Sequence, residues 1–183
     1  LVPQYFAAEE LSIITGGPEV GKAFSELPFD HVIFTGATGI GRHIMRAAAE
    51  NLVPITLELG GKSPVIVGQS ADLKEVAGKV AQGKLMNAGQ ICLAPDYVLI
   101  DGQREQRLVD ELVASATAMY PTILDNNDYT AVVNDRHHAR LTAHIDDALA
   151  KGADITIVNP AGEDFTSANG RKMPLHIIRG ATD

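Results

Sequence analysis

Short apolar runs alternate along the chain with longer segments of helical periodicity. The runs are rich in β-branched residues and favour strands at residues 11–15, 31–35, 52–59, 63–67, 97–100, 155–158 and 175–178. The segments between them favour helices at residues 18–26, 42–51, 73–86, 104–119 and 135–151. This alternation predicts an α/β layered fold. The run at 31–35 is apolar and β-branched, which predicts a buried parallel strand.

Capping residues and polar stretches set the predicted ends of these elements. Asp72, with Glu75 three residues later, resembles a capping box at the start of the helix at 73–86. Gly152 predicts a C-cap for the helix that ends at residue 151. The polar stretches at 125–129 and 160–171 predict loops.

Composition narrows the class of protein. The 183 residues are 45% hydrophobic and 21% charged, which is typical of a folded globular chain and excludes a disordered one. Lys and Arg total 15 against 23 Asp and Glu, a net charge of −8, so a nucleic-acid partner is not expected. No apolar run approaches the roughly 18 residues that a membrane span needs. We therefore expect a soluble, cytoplasmic protein.

A glycine-rich turn, TGATGIG at residues 35–41, separates the strand at 31–35 from the helix that follows. Such a turn can bind phosphate, because free backbone N–H groups and the helix dipole favour an anion. The spacing is Gly-x-x-Gly-x-Gly and not the usual dinucleotide fingerprint, so a tight turn without a ligand stays an alternative. A short-chain dehydrogenase is excluded, since none of the four tyrosines has the required Lys four residues later.

Glu58 lies at the end of the apolar run at 52–59 and is followed by Gly60 and Gly61. In open α/β sheets, ligands bind at the carboxyl ends of strands. Apolar neighbours disfavour the charged form of a carboxylate, which suits a general base, and paired glycines let backbone approach a ligand closely. Glu58 is therefore a candidate general base. A solvent-facing Glu at a strand end is the alternative.

Cys92 is the only cysteine, so no internal disulfide can form. It lies in the predicted loop at 87–95 (NAGQICLAP), and loops commonly present reactive groups. His31 and His43 are far upstream, and no Cys/His cluster has zinc spacing. Cys92 is thus a candidate nucleophile that binds no metal. The alternative is a small buried hydrophobic residue.

Three strings occur in order along the chain: FTGATGIG at 34–41, LELGGKSP at 57–64 and GQICLAP at 89–95. Together they resemble the core of the aldehyde dehydrogenase superfamily, whose spacing matches the 34 residues from Glu58 to Cys92. Two longer stretches, at 16–36 and 128–141, resemble specifically the coniferyl aldehyde dehydrogenase branch. One departure is Ala37, where many members have Ser. A hydroxyl contact to a cofactor phosphate is therefore absent.

The resemblance implies NAD(P)-dependent oxidation of an aldehyde to its carboxylic acid. Cys92, as thiolate, would add to the aldehyde carbon, and loss of hydride to the nicotinamide of NAD or NADP would leave a thioester. Glu58 would activate the water that hydrolyses it, and the Cys92 backbone N–H would stabilise the oxyanion. The cofactor-binding residues implied are Gly36, Ala37 and Gly41 near the pyrophosphate and Leu59 and Gly60 near the nicotinamide.

The resemblance also implies a fold and a division into domains. Residues 1–61 resemble the C-terminal part of the NAD(P)-binding domain, with half of a Rossmann-like parallel sheet. Residues 62–183 resemble the N-terminal part of the catalytic α/β domain. Members of the family are longer at both ends. We therefore expect an internal fragment, inactive on its own, of a protein that forms a homo-oligomer when complete.

The expected substrate is an aromatic or other hydrophobic aldehyde similar to coniferaldehyde. One alternative is a catalytically inactive fragment that serves as a structural or interaction module. Another is an acyl-reducing member of the same superfamily. That branch typically lacks the general-base Glu, so Glu58 counts against it.

Overall fold

The computed structural model describes residues 1–166 and 170–181. The chain divides into two compact units, Leu1–Gly60 and Gly61–Asp183. Within the described residues, no helix is both long and apolar enough to cross a membrane. The predicted loop at 160–171 is irregular where it is described, and its residues 167–169 lie outside the described part.

The first unit places two parallel strands against a helix. After a 3-10 turn at Val2–Gln4, its elements are α1 (Pro18–Ser25), β1 (Val32–Gly36), α2 (Thr38–Glu50) and β2 (Ile55–Leu59). Val32 lies opposite Ile55, and this register continues to Gly36 opposite Leu59. The connection from β1 through α2 to β2 is the parallel crossover that the alternating pattern predicts.

For this unit, one strand prediction is wrong in part and another is wrong. Alternate residues of β1 are exposed, with Ile33 71% exposed, because α2 packs on the opposite face, where Phe34 lies. The strand is therefore parallel but not buried on both faces. The β-rich run at 11–15 forms no strand, since a strand needs ladder partners and none of the described residues provides them.

The second unit contains four strands and three helices within the described residues. In chain order these are β3 (Ser63–Ile66), α3 (Leu73–Leu85), β4 (Pro95–Leu99), α4 (Gly102–Met119), α5 (Asp135–Ala150), β5 (Asp154–Val158) and β6 (Leu175–Arg179). β3 pairs parallel with β4, and β5 pairs antiparallel with β6. A 3-10 turn at Met86–Gly89 extends α3 towards β4.

The core of the second unit forms where α3 packs on α4. One buried cluster consists of Val67, Leu73, Ala77, Leu108 and Leu112. The other consists of Ala81, Leu85, Ala116, Ile123, Tyr129 and Val158. The small residues of α3 recur at four-residue spacing, which lets the two helices approach closely along one face.

Side-chain caps fix the helix ends of this unit. Asp72 accepts hydrogen bonds from the backbone N–H groups of Lys74 and Glu75, which confirms it as the N-cap of α3. Asp101 and Asn134 cap α4 and α5 in the same way. Gly152 follows α5 with a φ of +85°, the left-handed conformation expected just past a helix end.

Candidate functional site

The turn between β1 and α2 leaves a helix N-terminus open. Ala37 is the N-cap of α2 and provides no side-chain cap, and no acidic residue occupies the first turn. The first backbone bond of the helix joins Gly41 N–H to Ala37 O at 2.9 Å. The N–H groups of Thr38, Gly39 and Ile40 therefore have no acceptor within the described residues, and all three residues are exposed. This is a donor set that fits a phosphate.

Four of the sequence-predicted cofactor residues lie together around this turn. Gly36 pairs in register with Leu59, and Ala37 begins α2. Gly41 is buried, and a Cβ placed on it would lie 3.0 Å from Leu59 Cδ2. A side chain at this position would therefore require Leu59 to shift by a few tenths of an ångström. Gly60, the fifth, is exposed and has open space where a Cβ would lie.

Glu58 projects from the exposed face of the strand pair. Its register partner is Thr35, also exposed. Leu57 and Leu59 flank Glu58 in sequence but face the opposite side of the sheet, because side chains alternate along a strand. The apolar surroundings expected from the sequence are therefore not supplied by these neighbours. The carboxylate is open to solvent within this unit.

A groove beside α1 is a feature that sequence reasoning missed. It has a volume of about 260 Å³ and is lined by Ser12, Ile14, Gly16, Gly17, Val20, Gly21 and Phe24. A Cβ added at Gly17 or Gly21 would meet nothing within 4 Å, so open space lies beside both glycines. The available signal was the string GGPEVG, which puts three glycines in six residues at the start of a helix.

Cys92 lies in an exposed turn that leads into β4. Its thiol is free and exposed, so the alternative of a buried hydrophobic residue is wrong. The turn is closed by the backbone bond from Ala94 N–H to Ile91 O at 3.0 Å. Gly61 lies directly against it, because a Cβ on Gly61 would be 2.6 Å from the Cys92 carbonyl oxygen. Only a glycine allows the backbone to approach this closely.

The residues just before Cys92 have a strained backbone. Asn87 and Ala88 have φ values of 52° and 53°, and Gly89 has 71°. Non-glycine residues in this region cost about 1–3 kcal/mol each and cluster at functional sites. Asn87 Nδ2 donates to Gln90 O at 3.1 Å, and Gln90 Nε2 donates to Asn87 O at 3.0 Å. These reciprocal bonds hold the loop in its unusual conformation.

Three charged side chains lie next to the Cys92 loop. Lys62 Nζ pairs with Asp96 Oδ2 at 3.1 Å. Burial lowers the pKa of Lys84, an effect that Asp96 opposes and Lys62 reinforces. A Cβ on Gly89 would lie 3.4 Å from Lys84 Cδ, so the Lys84 side chain runs beneath the loop. The sequence analysis did not predict this cluster. The signal available for it was Lys84, a lysine in the last turn of α3 just before the Cys92 loop.

Within residues 1–166 and 170–181, no group of three or more His, Cys, Asp or Glu side chains could hold a metal ion. Glu58 belongs to the first unit and Cys92 to the second.

Comparison with known proteins identifies the class. The profile of the aldehyde dehydrogenase family matches residues 6–183. A relative from Caulobacter vibrioides, named as a probable coniferyl aldehyde dehydrogenase, is 55% identical over 178 residues, which are 97% of this chain and 37% of that relative. A mouse relative named "Aldehyde dehydrogenase, dimeric NADP-preferring" is 42% identical over 148 residues, covering 80% of this chain and 32% of the mouse protein.

A solved structure shows the same architecture. The substrate-bound state of AldH from Staphylococcus aureus superposes with a TM-score of 0.85 at 34% identity, covering 99% of this chain and 38% of that one. This α/β chain with an exposed cysteine loop belongs to the aldehyde dehydrogenase family. It spans 37% of the length of the Caulobacter relative.

Proposed function

We propose that the protein containing this chain oxidises an aldehyde to its carboxylic acid, with Cys92 as the nucleophile. The observation that carries the proposal is the exposed thiol on a strained loop, in a chain that belongs to the aldehyde dehydrogenase family. A thiol suits both halves of such a reaction. It adds readily to an aldehyde carbon, and it leaves readily when water attacks the thioester.

The backbone around Cys92 supports the addition step. The Cys92 N–H makes no hydrogen bond within the described residues, so it is available to the oxyanion that forms when the thiolate adds to the carbonyl carbon. A preorganised donor at this position is typically worth about 10²–10³ in rate. The exposed turn leaves room for an aldehyde at the sulfur.

Glu58 is proposed as the general base of the second step. Its exposed carboxylate would accept a proton from the water that attacks the thioester carbonyl. The C–S bond then breaks, the acid is released and the Cys92 thiolate is regenerated. This role is carried over from the family motif LELGGKSP, which is intact at residues 57–64.

The first unit fits a nicotinamide dinucleotide, NAD or NADP. Its open α2 N-terminus has free N–H groups for the pyrophosphate. The groove beside α1, with its apolar and glycine lining, would accommodate the adenosine half, and Leu59 and Gly60 would lie at the nicotinamide end. When bound, the nicotinamide accepts the hydride that leaves the aldehyde carbon. On this proposal, residues 1–61 are part of a cofactor domain and residues 62–183 part of a catalytic domain.

The Caulobacter relative's name favours an aromatic substrate of the coniferaldehyde type. The mouse relative is described as dimeric, which supports a homo-oligomer. A free, exposed thiol persists in reducing compartments such as the cytoplasm, which favours a cytoplasmic location. Because the chain spans 37% of the Caulobacter relative, we expect turnover from the full-length protein and none from residues 1–183 alone.

A pre-steady-state experiment tests the two roles in the full-length protein, with coniferaldehyde and with NAD and NADP in turn. Cys92→Ala should abolish both turnover and the first-turnover burst of reduced cofactor. Glu58→Gln should keep a burst but slow the steady state, because hydride transfer precedes the water step. The control is Glu50→Gln, which changes an exposed carboxylate at the end of α2 and should leave both phases unchanged. Turnover by the Cys92→Ala variant would refute the proposal.

A further inference from the structure

The Gln90 side chain joins the Cys92 loop to a distant part of the chain. Its Nε2 donates to Ala131 O at 3.1 Å, and its Oε1 accepts from Val133 N–H at 2.9 Å. The nitrogen and the oxygen of the Gln90 amide therefore both bond to one short segment. Its residues 131 and 133 lie 41 and 43 residues further along the chain. Because the two bonds have opposite polarity, they fix the orientation of the amide as well as its position. Gln90 lies two residues before the thiol.

Arg171 holds the opposite edge of the same segment. Val132 N–H donates to Arg171 O at 2.9 Å, and Arg171 Nε donates to Val132 O at 2.8 Å. Arg171 Nη1 also reaches Asp135 Oδ1 at 3.4 Å. Residues 131 and 133 thus face Gln90 while residue 132 faces Arg171, the alternation expected of an extended backbone. The Val132 side chain is buried, so the segment cannot slide freely between its two partners.

The two residues after Arg171 fix the chain that leads into this segment. Lys172 Nζ donates to three backbone carbonyls, those of Ile123, Leu124 and Asn126, at 3.1, 3.0 and 2.6 Å. Tyr129 Oη donates to Met173 O at 2.7 Å. Three consecutive residues, 171–173, therefore brace residues 123–132 along their length. We call residues 171–173 the brace.

We propose that Gln90 and Arg171 are positioning residues for Cys92. The brace fixes segment 131–133, and that segment fixes the Gln90 amide. Gln90 in turn sets where the loop presents the Cys92 sulfur and backbone N–H. This inference rests on the proposed role of Cys92 as nucleophile. Neither residue has to touch the substrate, since displacing the loop by about 1 Å is enough to cost on the order of 10²-fold in rate.

Two variants of the full-length protein test the proposal. Gln90→Glu keeps the acceptor for Val133 N–H but replaces the Nε2 donor to Ala131 O, and to Asn87 O within the loop, with a carboxylate oxygen. Arg171→Met removes the side-chain donors and leaves the backbone carbonyl. The matched controls are Gln82→Glu on α3 and Arg107→Met on α4, both exposed. Within the described residues, neither control side chain makes a hydrogen bond or ion pair.

The measurements are the burst rate constant, the burst amplitude, the KM for aldehyde, and the alkylation rate of Cys92 by iodoacetamide, located by peptide mass mapping. We expect both test variants to lose tenfold or more in burst rate constant and to change the alkylation rate. Burst amplitude and KM should stay within about twofold, because the sites are intact but misaligned. The controls should match the wild type in every measurement.

Three results would overturn the proposal. The first is a wild-type burst rate in both variants, and the second is an unchanged alkylation rate. The third is a fall in amplitude that parallels the fall in rate, since that indicates unfolded sites. If Arg171→Met yields no folded protein, Gln90→Glu decides alone, because its side chain is exposed. Failure of the proposed function can be told apart from failure of this proposal. If Cys92 is not the nucleophile, Cys92→Ala still turns over, while the alkylation rates of the Gln90 and Arg171 variants still show whether the loop has shifted.

Discussion

Replacing Gly61 with Ala perturbs the Cys92 loop through a single added methyl group. The new Cβ would lie 2.6 Å from the Cys92 carbonyl oxygen. Ordinary contacts begin at 3.4 Å, so one of the two backbone segments must move by about 0.8 Å. Neither can move freely. Gly61 leads within two residues into β3, and Cys92 leads within three into β4, and these strands pair with each other.

The expected size of the effect follows from that displacement. A misplacement of about 1 Å at a reacting group costs on the order of 10²-fold in rate, so kcat/KM for aldehyde oxidation should fall by about 30- to 100-fold. Overpacking of a well-packed site costs about 1–3 kcal/mol, which should also lower the free energy of unfolding. The alkylation rate of Cys92 should change in the same variant, because the turn that presents the sulfur has shifted.

The control is Gly68→Ala, a few residues further along the same unit, where an added Cβ would meet nothing within 4 Å. Its kinetics and alkylation rate should equal those of the wild type. The assays are steady-state oxidation of coniferaldehyde by the full-length protein and urea unfolding of each variant. If Gly61→Ala retains kcat/KM and alkylation within twofold of the wild type, the loop is not held by this contact and the reasoning fails.

Three further predictions concern stability and are measured by urea unfolding. Burial, with a smaller contribution from Tyr120, raises the pKa of Tyr129 from 10.0 to about 12. The unfolded chain therefore loses this proton first, and the free energy of unfolding should fall by about 2–3 kcal/mol between pH 10 and 12. The wild-type free energy of unfolding minus that of Tyr129→Phe should show this fall. If that difference does not change with pH, the prediction is contradicted. Glu163 accepts from the Ile123 and Leu124 N–H groups with its two carboxylate oxygens. Glu163→Gln turns one of these oxygens into an NH2 donor and should lower the free energy of unfolding by about 1–3 kcal/mol, against a few tenths for the exposed ion-paired Glu75→Gln; equal losses would refute it. Burial lowers the pKa of Lys84. The free energy of unfolding of the wild type, relative to that of Lys84→Met, should therefore rise as the pH rises towards 10.5. A fall would mean that the folded state raises this pKa.

Local signals in the sequence were sufficient for the elements that depend on neighbours close in the chain. Asp72 predicted the start of α3, because an N-cap needs only its own side chain and the next helical turn. Gly152 predicted the end of α5 for the same reason. The ordered strings around Glu58 and Cys92 predicted the family, which the profile match confirms. The roles of these two residues stay predictions.

Tertiary structure decided what depends on distant partners. The sequence could not show that Ile33 and Glu58 share an exposed sheet face, since that is set by the side on which α2 packs. Nor could it show that Gln90 bonds to residues 131 and 133, because the residues around a polar side chain do not indicate which group more than 40 residues away it will bond to. The run at 11–15 has strand composition but forms no strand. Propensity acts over a few residues, whereas a ladder, a burial face or a brace exists only when the folded chain brings separate segments within hydrogen-bonding distance.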